Sequence, residues 1–257
     1  MRNAVVLCAG LLALIFPAVA KAQGQAQAQS QGQSNSWMPA GGRIFVGING
    51  LYQPGKETIE QTVTFDAYDE TATTSASQNV KNGGGMFDIG GGYRTNRYGI
   101  GISYTQFKST NSASISGSIP DPLLFDQHRG YSSTVDGMEH TEHVVHVQAY
   151  YFVPVARKMD VGVFIGPSFF NVKQDYVTGL NTFSENPLSI PAGRGTAKAS
   201  PVGFNIGGEL TYLITPNISG AFLLRFSRAS ADLDFDGATH SMNVGNVQVG
   251  GGVRLRF

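Results

Sequence analysis

From residue 43 to the C-terminus the chain alternates apolar and polar positions with a period of two. That period places successive side chains on opposite faces of a strand. Eight segments carry it, at 43–52, 84–94, 98–108, 143–153, 159–171, 202–214, 217–228 and 242–257. Each is about ten residues or slightly more, the length a tilted strand needs to cross a bilayer's hydrocarbon layer. The connections at 95–97, 154–158 and 215–216 are short; those at 53–83, 109–142, 172–201 and 229–241 are long. Short turns at one end and long loops at the other predict an all-β protein. The expected form is an eight-stranded antiparallel up-and-down transmembrane β-barrel with both termini on the short-turn side.

Splitting the strands into faces gives their orientation. In the sixth, Val202, Phe204, Ile206, Leu210, Tyr212 and Ile214 oppose Gly203, Asn205, Gly207, Glu209 and Thr211. In the eighth, Val247, Val249, Val253, Leu255 and Phe257 oppose Gln248, Gly250, Gly252, Arg254 and Arg256. A soluble barrel alternates too, with its apolar side chains inside. Here the second face is rich in glycine and carries Asp88, Arg94, Asp160, Glu209, Arg225 and Arg254. Small residues with a few opposite charges suit the narrow interior of an eight-stranded barrel, so the apolar face is expected to meet lipid. Unpaired charges there would be very costly. Glu209 is therefore expected to pair with Arg225 or Arg254, and Asp88 or Asp160 with a neighbouring arginine. On the apolar face an Arg or Lys near the midplane would cost about 2–4 kcal/mol, and the pattern places none there.

The aromatic positions agree. Tyr93, Tyr98, Tyr151, Tyr212 and Phe257 fall on the apolar face beside the short turns, where a periplasmic interfacial girdle belongs. Tyr52, Tyr104, Phe169 and Phe226 fall toward the other rim.

Composition narrows the setting. Charged residues are 14% of the chain against roughly a quarter in ordinary soluble domains. At the N-terminus Arg2 precedes the apolar stretch 4–18, and small residues at Ala18, Ala20 and Ala22 follow. Residues 1–22 read as a signal peptide cut after Ala20 or Ala22. Cys8 raises lipidation as a rival, but it follows Leu7 rather than a small residue and lies too early in the run. Without residues 1–22 the chain has no cysteine and 16 basic against 18 acidic residues, a balance that argues against nucleic acid as a partner. The segment 23–42, which begins as a Gln/Ala/Ser/Gly tract, reads as a disordered periplasmic lead-in.

With its signal peptide, eight alternating strands, three short turns and the ending Val253-Arg254-Leu255-Arg256-Phe257, the chain resembles the OmpA/OmpX-type small outer-membrane barrels. The resemblance covers about 43–257 and rests on pattern rather than on a catalytic motif. It implies an outer-membrane location, contact with lipopolysaccharide and outer-membrane lipids, and recognition by the assembly machinery through Val253, Leu255 and Phe257. The pattern departs from OmpA in ending on the barrel, so a peptidoglycan-binding domain is not expected and wall tethering is not implied.

Three motifs invite chemistry. In the stretch 139–146, His140, Glu142 and His146 share one face and His143 the other. Strand spacing sets His140 and His146 about 20 Å apart, too far for one zinc ion. Asp232, Asp234 and Asp236 open like an EF-hand loop, but Asn243 stands where the bidentate Glu belongs. They are weak candidates for a divalent cation, alone or bridging lipopolysaccharide phosphates. His240-Ser241 with Asp236 is the one cluster suggesting a lipid A-modifying enzyme, yet strand neighbours point to opposite faces. The expectation is a non-enzymatic barrel without cofactor that supports envelope integrity and meets a surface ligand through loops 53–83 and 109–142. A narrow pore is the first alternative and a lipid A-modifying enzyme the second.

Overall fold

The computed structural model describes residues 43–257 except 186, 187 and 236. The expectations for 1–42 and for Asp236 lie outside those residues. In chain order the strands are β1 (Arg43–Ala67), β2 (Glu70–Thr95), β3 (Tyr98–Pro120), β4 (His128–Ala156), β5 (Met159–Thr178), β6 (Ser184–Glu185) and β7 (Leu188–Ser189). They continue as β8 (Gly193–Ala199), β9 (Val202–Leu213), β10 (Ile218–Phe235), β11 (Ala238–Val244) and β12 (Val247–Arg256). Among the described residues β1-β2-β3-β4-β5-β9-β10-β12 form a ring of antiparallel neighbours. It closes where β12 pairs with β1, from Phe45↔Arg256 to Tyr52↔Val249.

Two of the eight barrel strands are interrupted without losing register. Against β5, Ala199 pairs with Val172 and Val202 with Phe169, so β8 and β9 are one strand broken at Ser200-Pro201. Proline has no N–H to give the ladder. Against β10, Val244 pairs with Ala229 and Val247 with Phe226. The break there falls at Gly245, whose φ of 78° takes it out of the extended region.

The strands are much longer than a bilayer requires, which corrects the reading of the long connections as loops; 229–235 belong to β10, 238–241 to β11 and 172–178 to β5. Residues 53–83 belong mostly to a hairpin in which β1 has 25 residues and β2 has 26. The hairpin turns at Tyr68-Asp69, both with positive φ (55° and 61°). Such a two-residue turn matches the twist of the flanking strands. Beyond Gln53 each strand runs roughly 45 Å further. Residues 109–142 form a second such hairpin, from β3 and β4, with its tip at 121–127. The sequence obscured this because the outward positions Thr58, Glu60, Thr62 and Thr64 are polar and the inward Ile59, Gln61, Val63 and Phe65 only partly buried. The amplitude of the alternation is low although its period is kept.

Around the barrel the large apolar side chains point outward and are exposed, among them Ile44, Ile48, Ile89, Ile102, Ile165, Phe204, Ile206, Phe222 and Val253. A soluble surface does not carry so broad an apolar band, and a bilayer covers it without cost. The structure places Tyr93, Tyr98, Tyr212 and Phe257 exposed on this side near the short turns, with Tyr151 half-buried beside Tyr98, ring centroids 5.4 Å apart.

The interior departs from the expected filling of small residues and charges. Toward the short turns Phe45, Tyr150, Phe152, Phe164 and Leu223 form a buried apolar cluster that continues past the level of Asp88 to Leu51, Met86 and Phe107. Tyr150 and Phe152 stack 5.4 Å apart, with Phe45 edge-on to Tyr150 at 5.8 Å. The inward glycines make room for these rings. A Cβ added to Gly92 would come within 2.7 Å of Phe45 Cζ. Rings thus fill the volume that glycine leaves, a pairing that supports curved sheet. Further up, Val144, Phe170, Ala231, Leu233 and Val244 belong to a second apolar layer, and Ile115, Ile119, Met138 and Ile190 to a third between the hairpins.

Candidate functional site: the filled lumen

Between the apolar layers lies a polar network built from inward positions of six strands. Asp88 on β2 accepts hydrogen bonds from Asn49 Nδ2 (2.7 Å), Thr105 Oγ1 (2.8 Å) and Arg225 Nη2 (3.0 Å). Arg225 on β10 also donates to Ser103 Oγ (3.1 Å), Thr105 Oγ1 (2.8 Å) and Gln248 Oε1 (2.6 Å). Arg225 is among the largest fully buried side chains of the described residues. A guanidinium out of water is tolerated only when its donors are met, and this fork is met by four different side chains.

Toward the short turns Arg254 pairs with Glu209, which also accepts from Thr211 Oγ1 (2.8 Å). The Arg254 guanidinium lies 4.7 Å from the centre of the Phe45 ring. Below it Asp160 is held by Arg94 (2.6 Å) and Arg256 (3.3 Å), and Arg94 sits 4.1 Å over Phe152. All six charges named from the sequence therefore fall in the lumen, grouped as Asp88 with Arg225, Glu209 with Arg254, and Asp160 with Arg94. Sequence reasoning did not place Arg256 in an ion pair. It also missed Ser103 and Thr105, which share inward parity with Asp88 and could have been found by extending that parity to β3.

A cavity of about 20 Å³ at this level is bordered by Asn49, Asp88, Tyr150, Glu209, Arg225 and Arg254. That suffices for one or two water molecules. Buried aromatic rings lie on the cavity's short-turn side and hydrogen-bonded polar groups on the other.

The other candidates separate. His140, Glu142 and His146 point inward and are buried; His143 faces out, with Nδ1 2.5 Å from Tyr104 Oη. His140 contacts Glu142 Oε1 (2.9 Å) and Gln174 Oε1 (2.7 Å), while His146 contacts Ser168 Oγ (2.7 Å). Among the described residues no three His, Cys, Asp or Glu side chains are grouped to hold a metal ion. Asp234 Oδ1 accepts from the Gly237 N–H (2.7 Å) and Asp232 Oδ1 from Ser241 Oγ (2.5 Å), so both carboxylates serve the hairpin turn. His240 stacks on Phe235, centroids 4.9 Å apart, whereas Ser241 is exposed on the other face. The two do not form a nucleophile–base contact.

No family model matches the chain, and no curated protein is significantly similar. Solved structures of similar fold include the Neisserial surface protein A, at 12% identity over 83% of this chain and 97% of that one, with a TM-score of 0.42. They also include the N-terminal β-barrel domain of Pseudomonas aeruginosa OprF, at 14% identity over 84% of this chain and 97% of that one, TM-score 0.35. The outer membrane protease OmpT of Escherichia coli is 10% identical over 87% of this chain and 100% of its own, TM-score 0.34. The likeness is one of barrel topology.

Proposed function

We propose that this protein is a non-enzymatic outer-membrane barrel whose work is mechanical and interfacial. On this reading the membrane-embedded ring seals and stiffens the envelope and carries long hairpins into the exterior for contact with a surface ligand or the lipopolysaccharide layer. The observation that carries it is the combination of a filled lumen with strands that continue far beyond the bilayer. A conduit would need a continuous wet path, and a lipid-modifying enzyme a nucleophile in contact with its base. The arginine-centred network instead braces opposite walls of the barrel, as a rigid pedestal for the hairpins requires.

The apolar exterior and the outward placement of Tyr93, Tyr98, Tyr151, Tyr212 and Phe257 support an outer-membrane location with those rings at the periplasmic interface. Val253, Leu255 and Phe257 are outward positions of the closing strand, suited to recognition by the assembly machinery. The test compares electrophoretic mobility of the outer-membrane fraction, boiled and unboiled, and single-channel recordings of the purified protein. The expected results are a heat-dependent shift and no resolved conductance steps. Steady conductance that Arg225→Ala alters would replace this reading with a pore; a lipid A mass profile that changes with expression would replace it with an enzyme.

A further inference from the structure

The β3–β4 hairpin ends in Pro120-Asp121-Pro122-Leu123-Leu124-Phe125-Asp126-Gln127, and this tip has an unusual surface. Leu123 is 87% exposed, Leu124 54% and Phe125 77%. Three consecutive large apolar side chains thus stand in solvent at the end of a protrusion. They lie roughly 40 Å of strand beyond the membrane-spanning part of β3, out of reach of the protein's own bilayer.

The turn itself is firmly built. The Asp121 N–H donates to Gln127 O (2.7 Å), the Gln127 N–H to Leu124 O (3.3 Å), and the Leu123 N–H to Asp121 Oδ1 (2.9 Å). Asp126 adopts a φ of 58°, and its N–H donates to Glu70 Oε1 (3.2 Å) on the neighbouring hairpin. A ring nitrogen of His128 lies 3.3 Å from Thr71 O on the same neighbour. Two hairpins are therefore tied together just below the three apolar residues. Side chains held out by a braced turn lose little further freedom on burial, which favours binding.

We infer that Leu123, Leu124 and Phe125 form a finger that inserts into an apposed lipid bilayer with neutral, zwitterionic headgroups. All three side chains are exposed together, whichever way each points. A hydrocarbon layer accepts them from any direction. Charge selects the headgroup. Asp121 is compensated by Arg129 (3.7 Å), but Asp69, Glu70 and Asp126 leave the rim net negative, which disfavours an anionic surface. The inference deepens the interfacial reading above and rests on it.

The test uses the full protein in nanodiscs and flotation with vesicles of phosphatidylcholine or phosphatidylglycerol. The wild type should float with phosphatidylcholine vesicles. Each inserted side chain contributes about tenfold, so the triple variant Leu123→Ser/Leu124→Ser/Phe125→Ser should lose at least about a hundredfold in partitioning. Phosphatidylglycerol vesicles should bind more weakly at low salt, with the gap narrowing as salt rises. In the Phe125→Trp variant, emission should be quenched by brominated lipid beyond any change seen with the wild type. A triple variant that binds as well as the wild type overturns the inference. So does tighter binding to phosphatidylglycerol, or a Phe125→Trp variant whose emission brominated lipid leaves unquenched. A wild type that floats with neither vesicle also overturns it. The heat-dependent mobility shift, run on the same samples, separates the two readings: its persistence in a protein that ignores vesicles sinks the finger and leaves the barrel.

Discussion

Arg225 donates to the Asp88 carboxylate at 3.0 Å although 137 residues separate them. The bond runs from β10 to β2, strands that are separated in the ring by β12 and β1, so it braces the wall across the lumen rather than along a ladder. Replacing Arg225 with Leu leaves the buried Asp88 with Asn49 and Thr105 as donors and no cation. Loss of one member of a buried pair costs about 3–5 kcal/mol. Urea unfolding of the lipid-reconstituted barrel should register a loss of that order. Asp88→Asn combined with Arg225→Leu should be milder than the sum of the single changes, because no charge is then stranded.

Phe152 fills the lumen beneath Tyr150 and supports the Arg94 guanidinium. Phe152→Ala should cost about 3–5 kcal/mol, since the closed ring cannot collapse onto the cavity. The same unfolding measurement checks it. A loss below about 1 kcal/mol would show that the layer is not close-packed.

Ile206 is an outward position near the middle of β9. Ile206→Arg should lower stability in bilayers by about 2–4 kcal/mol, the cost of an arginine on the lipid face near the midplane. In detergent micelles, where the charge reaches water more easily, the loss should shrink. Equal losses in both would argue that the residue packs against protein instead.

The Phe257 N–H donates to Ile44 O (2.9 Å) at the seam where β12 closes on β1, and its ring is exposed to the lipid side. Deleting Phe257 should reduce the amount of heat-modifiable protein in the outer membrane severalfold at unchanged synthesis. Once folded, the truncated chain should melt close to the wild type, because only one hydrogen bond of the seam is lost. Normal assembly of the truncated chain would refute a role in recognition by the assembly machinery.

Much of the site was visible in the sequence because parity in a strand is local. Asp88, Arg225, Glu209 and Arg254 fall on the glycine-bearing face whichever partners they take, and the apolar face identifies itself as lipid-facing by what it lacks. Which arginine meets which acid was not legible: Glu209 was open to Arg225 or Arg254, and strand stagger across the ring chose Arg254. The aromatic layer was missed for a related reason. Phe45, Tyr150, Phe152 and Phe164 share parity with polar residues, and only closure shows that their rings come together above glycines of other strands.

What the sequence by itself determined is the period, the count of spanning strands, the asymmetry of their connections and the face each residue takes. These are properties of neighbouring residues on a pleated backbone. Tertiary structure decided the rest: how far the hairpins extend, what fills the lumen, and which charges pair. Strand extension beyond the bilayer depends on cross-strand pairing of weakly apolar Thr and Ser positions, and lumen contacts depend on stagger around a closed ring. Neither is a local quantity, so neither can be read from one strand at a time.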